Sequence, residues 1–304
     1  MIQAFIFASP TDLGFLKNSL PPLLKMCHEG GARIALIADY KKPSGILAKN
    51  AVWHPVEKFI NFLEKVRKTT HFEILLSDEN EHQVESLTNK HFGKPLKETK
   101  CFRGYPTFQS IKQFHRTTAP YILHLDCDML FYEAPHYSWI KEGVKVMEEN
   151  DDILCVLPRG GPPSANGSLH QGSTLFQVDK KRNLFLFKNF TSRHYLIHRE
   201  RFLSLLPMKP LWLSWREPLK SRLFNNGKML CWEAIVEKAL KKSHFWRADL
   251  MTEQAWSLHP GERTEEFYNT LPTILNHVIN NRYPEEQGGH FDLRLKDWKN
   301  YIGQ

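Results

Sequence analysis

Four short β-type runs, each parted from the next by an amphipathic helical stretch, fill the first part of the chain and leave few ways to fold it. Residues 2–8 end at Ser9-Pro10, 34–38 at Asp39-Tyr40, 72–76 at Ser77-Asp78, and 121–125 at Asp126. Between the first two, Leu13, Leu16, Leu20 and Leu24 recur at helical spacing behind Asp12, a residue able to cap a helix start, while Pro21-Pro22 predicts a kink or a break. Phe59, Ile60, Leu63 and Val66 share one face of a helix expected over 55–68, and 81–91 and 107–116 read as two more. Strands joined by helices of this length need crossover connections. The expected fold is therefore α/β, with an open, mixed but mostly parallel Rossmann-like sheet and helices on both faces. Ligands of such sheets bind beyond the carboxyl ends of the strands.

The pattern continues more loosely. Residues 153–157 read as a buried strand, 193–198 as strand-like, 200–206 as helical and 229–242 as an amphipathic helix. Arg159-Gly160-Gly161-Pro162-Pro163-Ser164-Ala165-Asn166-Gly167-Ser168 is the strongest loop signal, fitting an active-site lid or a solvated linker. With 41% hydrophobic and 12% aromatic residues, the 304-residue chain can bury a sizeable core, which excludes disorder as its main state. The length fits one catalytic domain over 1–304, with a ligand-binding half at 1–130 and a second half with C-terminal cover at 131–304.

No apolar run approaches the ~20 residues that cross a bilayer. The N-terminus carries no basic region followed by an apolar core, so a cytoplasmic protein is expected. Cys27, Cys101, Cys127, Cys155 and Cys231 are odd in number and scattered, which fits reduced thiols better than a disulfide framework or a zinc site. Forty-one Lys+Arg against 33 Asp+Glu give 41 − 33 = +8. Such an excess suits phosphorylated ligands, anionic membrane surfaces or nucleic acid. The short runs Lys180-Lys181-Arg182 and Lys241-Lys242 make no basic stripe with interleaved aromatics, so nucleic acid is not an expected partner.

The chemistry concentrates at Tyr121-Ile122-Leu123-His124-Leu125-Asp126-Cys127-Asp128. A buried strand ends in two carboxylates one residue apart, and both can turn into the space beyond the sheet edge. Two anions placed there repel unless a cation lies between them. A hard divalent ion, Mg2+ or Mn2+, bound together with substrate phosphates answers that need.

Arg103-Gly104-Tyr105-Pro106-Thr107 before a helix, then Ala119-Pro120 leading into Asp126-Cys127-Asp128, resembles the centre of GT-A-fold glycosyltransferases, most nearly those similar to glycosyltransferase family 2. The resemblance covers the element order of about residues 1–260 and is specific only around the Asp-x-Asp. It implies a nucleotide-sugar donor, a UDP-sugar first, whose diphosphate is bridged by the metal. Asp126 would lie by the ribose or metal and Asp128 would ligate the metal directly. Asp39 matches the position of an acidic residue that holds the nucleobase, with Ser9 facing the same pocket. The usual paired acids are absent, since Tyr40 follows Asp39, and Tyr40 either stacks on the base or packs.

In inverting enzymes of this kind a carboxylate near a helix start deprotonates the acceptor hydroxyl. The resemblance gives that role to Glu233, in Leu230-Cys231-Trp232-Glu233-Ala234. A distant histidine completes the metal site, with His259 in Ala255-Trp256-Ser257-Leu258-His259-Pro260 preferred over His290. Arg103 and Arg263 could stabilise the leaving diphosphate, and Trp232, ahead of Trp215 and Trp256, could stack on a sugar ring. The acceptor would be a glycan or glycolipid of bacterial type, with peripheral membrane contact.

Three other readings compete. A haloacid-dehalogenase-like phosphatase carries Asp-x-Asp on its first strand, whereas here three strands come before it. A sugar nucleotidyltransferase expects a Gly-rich basic loop after the first strand, where this chain has Ser9-Pro10-Thr11-Asp12. A non-catalytic binding module would leave the acidic pair without a cation.

Overall fold

The computed structural model describes residues 1–43, 45, 47–50, 52–170 and 175–303. Its strands in chain order are β1 (Ile2–Ala8), β2 (Ala32–Ala38), β3 (Glu73–Leu76), β4 (Tyr121–Asp126), β5 (Leu130–Glu133), β6 (Ile153–Leu157), β7 (Arg159–Gly160), β8 (Phe176–Asp179), β9 (Leu184–Phe187), β10 (His194–His198), β11 (Trp246–Leu250) and β12 (Ala255–Leu258). Nine of them form one sheet in the order β3-β2-β1-β4-β10-β6-β11-β9-β8. β3, β2, β1 and β4 are mutually parallel, while β10 and β9 run against the other seven. The open, mixed sheet with most strands in one direction is the fold the sequence predicts. Because β4 pairs with β10, the two halves expected on either side of residue 130 share a single sheet.

Alternation along the central strands explains why both faces are covered. Ala4, Ile6, Leu36, Leu123 and Leu125 enter one core cluster, and Phe5, Ala35, Ile37 and Ile122 enter the other. The helices Leu13–Glu29, Val56–Arg67 and Trp139–Glu149 cover the first face; Thr107–Arg116 and Trp232–Lys242 pack on the second. A three-stranded sheet, β5-β12-β7, lies beside the main one with the helix Glu265–Ile279 against it.

Several local expectations change. Pro21 and Pro22 lie inside a continuous helix and do not divide it, because Leu16, Leu20, Leu23 and Leu24 are buried against the sheet on both sides of the pair. The chain opens that helix with a 3-10 turn, Pro10–Asp12, and the Asp12 carboxylate accepts from the Ser9 N–H at 2.9 Å instead of capping. The helix expected from 229 starts at Trp232, and the one expected over 200–206 is the short Arg199–Leu203. The loop 159–168 is pinned: Arg159 donates to the carbonyls of Gly167 and Ser168 at 3.0 and 3.2 Å, and the Gly161 N–H reaches Ser257 O at 2.9 Å. Among the described residues no helix is long and apolar enough to cross a membrane.

Candidate active site

The order β3-β2-β1-β4 places β2 and β4 on opposite sides of β1, so the strand order reverses between β1 and β4. A cleft opens there, beyond the carboxyl ends of β1, β2 and β4. It has three connected chambers of about 140, 460 and 200 Å³, all bordered by Tyr105 and Arg193.

Asp126 and Asp128 meet at this junction. The Cys127 N–H donates to Phe7 O at 3.1 Å and the Asp126 N–H to Arg193 O at 2.7 Å, which tie the turn to both neighbouring strands. Asp126 Oδ1 lies 3.3 Å from His124 Nε2, and its Oδ2 lies 3.8 Å from the Arg193 guanidinium. Burial opposes the Arg193 charge, but Asp126 and Asp128 outweigh it and hold the group above its ordinary value.

Asp128 is buried, and its Oδ2 accepts a short hydrogen bond from Arg263. The other end of that guanidinium donates to Asp12 Oδ1 at 3.0 Å. Arg263 thus bridges carboxylates on the turns after β1 and β4. Burial raises the Asp12 carboxyl above its usual range, with Arg263 opposing and Asp128 adding to the rise.

The other sequence candidates divide into those on the cleft and those away from it. Ser9 lines the first chamber, but its hydroxyl is engaged by Asp12 at 2.8 Å and Thr11 at 2.6 Å. Asp39 lines the same chamber beside Trp53, while Tyr40 is not on its wall. Arg103 lines the second chamber with its guanidinium 5.4 Å from the Phe102 ring. Glu233, in the first turn of Trp232–Lys242, faces that chamber across from Asp126. Burial pushes its carboxyl up, against the pull of Arg193 and Arg247.

His259 follows β12 and borders the third chamber with Asp128, Arg193 and Arg263; its Nδ1 pairs with Asp292 at 2.9 Å. His290 stacks on His170 at 4.5 Å and lines none of the three chambers. Trp256 is packed between Tyr132 and Tyr283, and Trp215 is 81% exposed, so neither offers a face to the cleft. Trp232 borders the second chamber but is buried against Phe114, Phe190 and Phe202.

Arg193 and Asp12 are the site residues sequence reasoning missed. Arg193 stands at the start of a strand run, where nothing local marks it, and Asp12 reads as a helix cap. The five cysteines are free thiols as expected, although Cys101 and Cys231, 130 positions apart, come to 3.0 Å between sulfurs.

The fit to a divalent cation rests on one atom. Asp128 Oδ1 is buried with no hydrogen-bond partner, a carboxylate oxygen suited to a hard ion. No three His, Cys, Asp or Glu side chains among the described residues stand close enough to form a ready-made cage, so Asp126, Asp128 and His259 are not preassembled. Ions of the Mg2+ class are held by one or two carboxylates plus substrate phosphates, which this arrangement allows.

No family model and no curated protein matches the chain. Among solved structures it is similar to UTP-bound UGPase from Acinetobacter baumannii, at 9% identity and a TM-score of 0.46, over 100% of this chain and 99% of that one. It is also similar to TarS of S. aureus, at 9% identity and a TM-score of 0.41, over 94% of this chain and 41% of that one. A third, the glycosyltransferase GlyE of Streptococcus pneumoniae TIGR4, shares 12% identity with a TM-score of 0.37, over 95% of this chain and 54% of that one. The chain spans about half the length of the last two. Likenesses of that size carry no argument for an activity.

Proposed function

We propose that the chain is a glycosyltransferase of GT-A type, using a nucleotide-diphosphate sugar, a UDP-sugar first, and transferring to a hydroxyl of a glycan or glycolipid. The observation that carries this reading is the meeting at the strand-order reversal of a carboxylate pair, two half-buried guanidinium groups and, on the same cleft, a half-buried Glu233. The narrow first chamber, with Phe7, Ile37 and Trp53 as apolar walls and Asp39 at its rim, suits a nucleoside. The diphosphate lies by Arg193 and Arg263, whose charge stabilises the leaving group as it forms. Asp126, steadied by His124 and Arg193, orients the ribose or the phosphate side of the donor.

Asp128 and Asp126 would hold Mg2+ or Mn2+, with His259 a further ligand; such an ion, when bound, neutralises charge on the departing diphosphate. Glu233 takes the proton from the acceptor hydroxyl, and burial, which raises its proton affinity above that of an ordinary glutamate, strengthens it as a general base. A base on the acceptor side implies inversion at the anomeric carbon. A haloacid-dehalogenase-like reading finds no support in a motif carried on β4, and the helical turn Pro10–Asp12 after β1 is unlike a Gly-rich nucleotidyltransferase loop.

The test is incubation with a panel of nucleotide sugars and Mn2+, following release of the nucleoside diphosphate. Release from at least one donor, abolished in Asp128→Ala with the fold intact, is expected. No release from any donor, or equal release by the variant, would overturn the reading.

A further inference from the structure

Twelve large apolar side chains are exposed among the described residues, and five of them, Leu213, Trp215, Leu219, Leu223 and Phe224, fall within residues 213–224. They are not on a frayed segment. The chain leaves the body at Leu211 and returns at Leu230, with backbone hydrogen bonds of 2.8 Å between Leu230 N and Leu211 O and 2.9 Å between Leu213 N and Lys228 O closing the neck. Inside the excursion, buried Glu217 accepts from the Lys228 N–H and from Lys220 Nζ, both at 2.9 Å. Gly227 sits tight under it: a Cβ there would lie 2.6 Å from the Trp212 ring and 2.7 Å from Glu217 O. The inner side is thus satisfied and close-packed, and the outer side presents bare apolar groups.

Charge singles out the same segment. Lys209, Arg216, Lys220, Arg222 and Lys228 are all exposed, and Glu217 is the one acid in residues 209–228, so 5 − 1 leaves +4, half of the +8 of the whole chain. In the helix Glu217–Phe224, Leu219 and Leu223 stand one turn apart, with Arg216, Lys220 and Arg222 around them. Apolar side chains including a Trp, ringed by cations, are the composition of a surface that lies in the interface of an anionic bilayer. A soluble partner of ordinary surface has no need of that combined chemistry.

We propose that residues 211–230 form a membrane-docking surface that sets these five apolar side chains among the headgroups of an anionic bilayer. The excursion returns at Leu230, on the wall of the second chamber and three positions before Glu233. A docked excursion would hold its neck, and with it the chamber wall that bears Leu230 and Glu233, near the membrane, where a lipid-linked acceptor hydroxyl would be met. Only this last step rests on the glycosyltransferase reading; the docking itself does not.

The experiment is co-sedimentation of the full chain with phosphatidylcholine vesicles and with vesicles that also contain phosphatidylglycerol, at low and high salt. Sedimentation only with the anionic vesicles, weakened by salt, is expected. Trp215→Ser with Phe224→Ser should lower the partition at least about tenfold, and Lys209→Gln or Arg222→Gln about fivefold each. All four side chains are exposed, so the variants should keep the wild-type thermal melt. The proposal is overturned if neither vesicle is bound or if wild type and variants sediment alike. A concentration-dependent dimer that the double variant abolishes, without vesicle binding, would overturn it in favour of a second copy of the chain. Vesicle binding with no turnover of any nucleotide sugar would leave docking standing and sink the reading of the cleft instead.

Discussion

Arg263 decides how half-buried Asp12 and buried Asp128 can stand side by side, because one guanidinium serves both carboxylates. Replacing it with Gln leaves two like charges facing each other, at a cost of about 2 kcal/mol given its partial exposure. Asp128 would then offer both oxygens to a cation, so Arg263→Gln should lower the melting temperature yet tighten Mn2+ binding, followed by the paramagnetic signal of the free ion. Weaker or unchanged Mn2+ binding would contradict the assignment of Asp128. A second residue-scale test concerns His91, which burial pulls down to about 3 and whose Nε2 accepts from Trp232 Nε1 at 3.4 Å. Unfolded, it takes a proton below pH ~6.5; folded, it resists, so it lowers stability as pH falls from ~6.5 toward ~3, at up to about 1.4 kcal/mol per pH unit. The stability of wild type relative to His91→Asn should shrink over that window in denaturant titrations, and a constant difference would refute it. The Asp-x-Asp was legible because a strand end and the side-chain chemistry coincide in one short stretch. Arg193 was not, since it reaches Asp126 only through the pairing of β10 with β4, two segments about 70 positions apart.

The helix Trp232–Lys242 carries Glu233 in its first turn and buries Trp232, Ile235, Val236 and Leu240 beneath it, which holds the carboxylate at the rim of the second chamber. Glu233→Gln keeps that packing, so it should retain nucleotide binding while transfer falls by a factor on the order of 10² or more. Transfer near the wild-type rate would assign the proton to another group. Because burial raises the Glu233 carboxyl, the acid limb of the wild-type rate profile should lie above the ordinary glutamate value of 4.5. A rate independent of pH down to that value would contradict it. Gly161, with φ +89°, has no room for a side chain: a Cβ would come within 2.3 Å of His290 O. Gly161→Ala should therefore destabilise by roughly 2 kcal/mol or more in thermal or denaturant melts; an unchanged stability would mean that the loop is less firmly pinned than it stands. The helices and strands of residues 1–126, the single turn Leu47–Asn50 apart, were legible because each is amphipathic or apolar within its own length. The segments β5, β7, β8 and β9 were not, since runs of two to four residues acquire their meaning only from partners elsewhere in the chain.

Across the molecule, charge is distributed by task. The first chamber balances Asp12, Asp39, Asp126 and Asp128 against Lys41, Lys100, Arg193 and Arg263, so a diphosphate entering with a divalent ion meets a site with no large net charge. Half of the chain's excess lies instead on residues 209–228, which is invisible to composition because the cations are spaced along a segment whose single acid is buried. The expected division at residue 130 does not break the sheet: β4 from the first half and β10 from the second are neighbours, and the cleft draws walls from both. The residues proposed for nucleotide, cation and acceptor base thus come from strand ends and a helix start that only the folded sheet brings together. The most direct test is calorimetric titration of UDP into the protein with and without Mn2+, for wild type and Asp128→Ala. Wild type should bind UDP at least about tenfold more tightly with Mn2+, and the variant should lose that gain; UDP binding that is absent, or equal with and without Mn2+ in both proteins, would contradict the account.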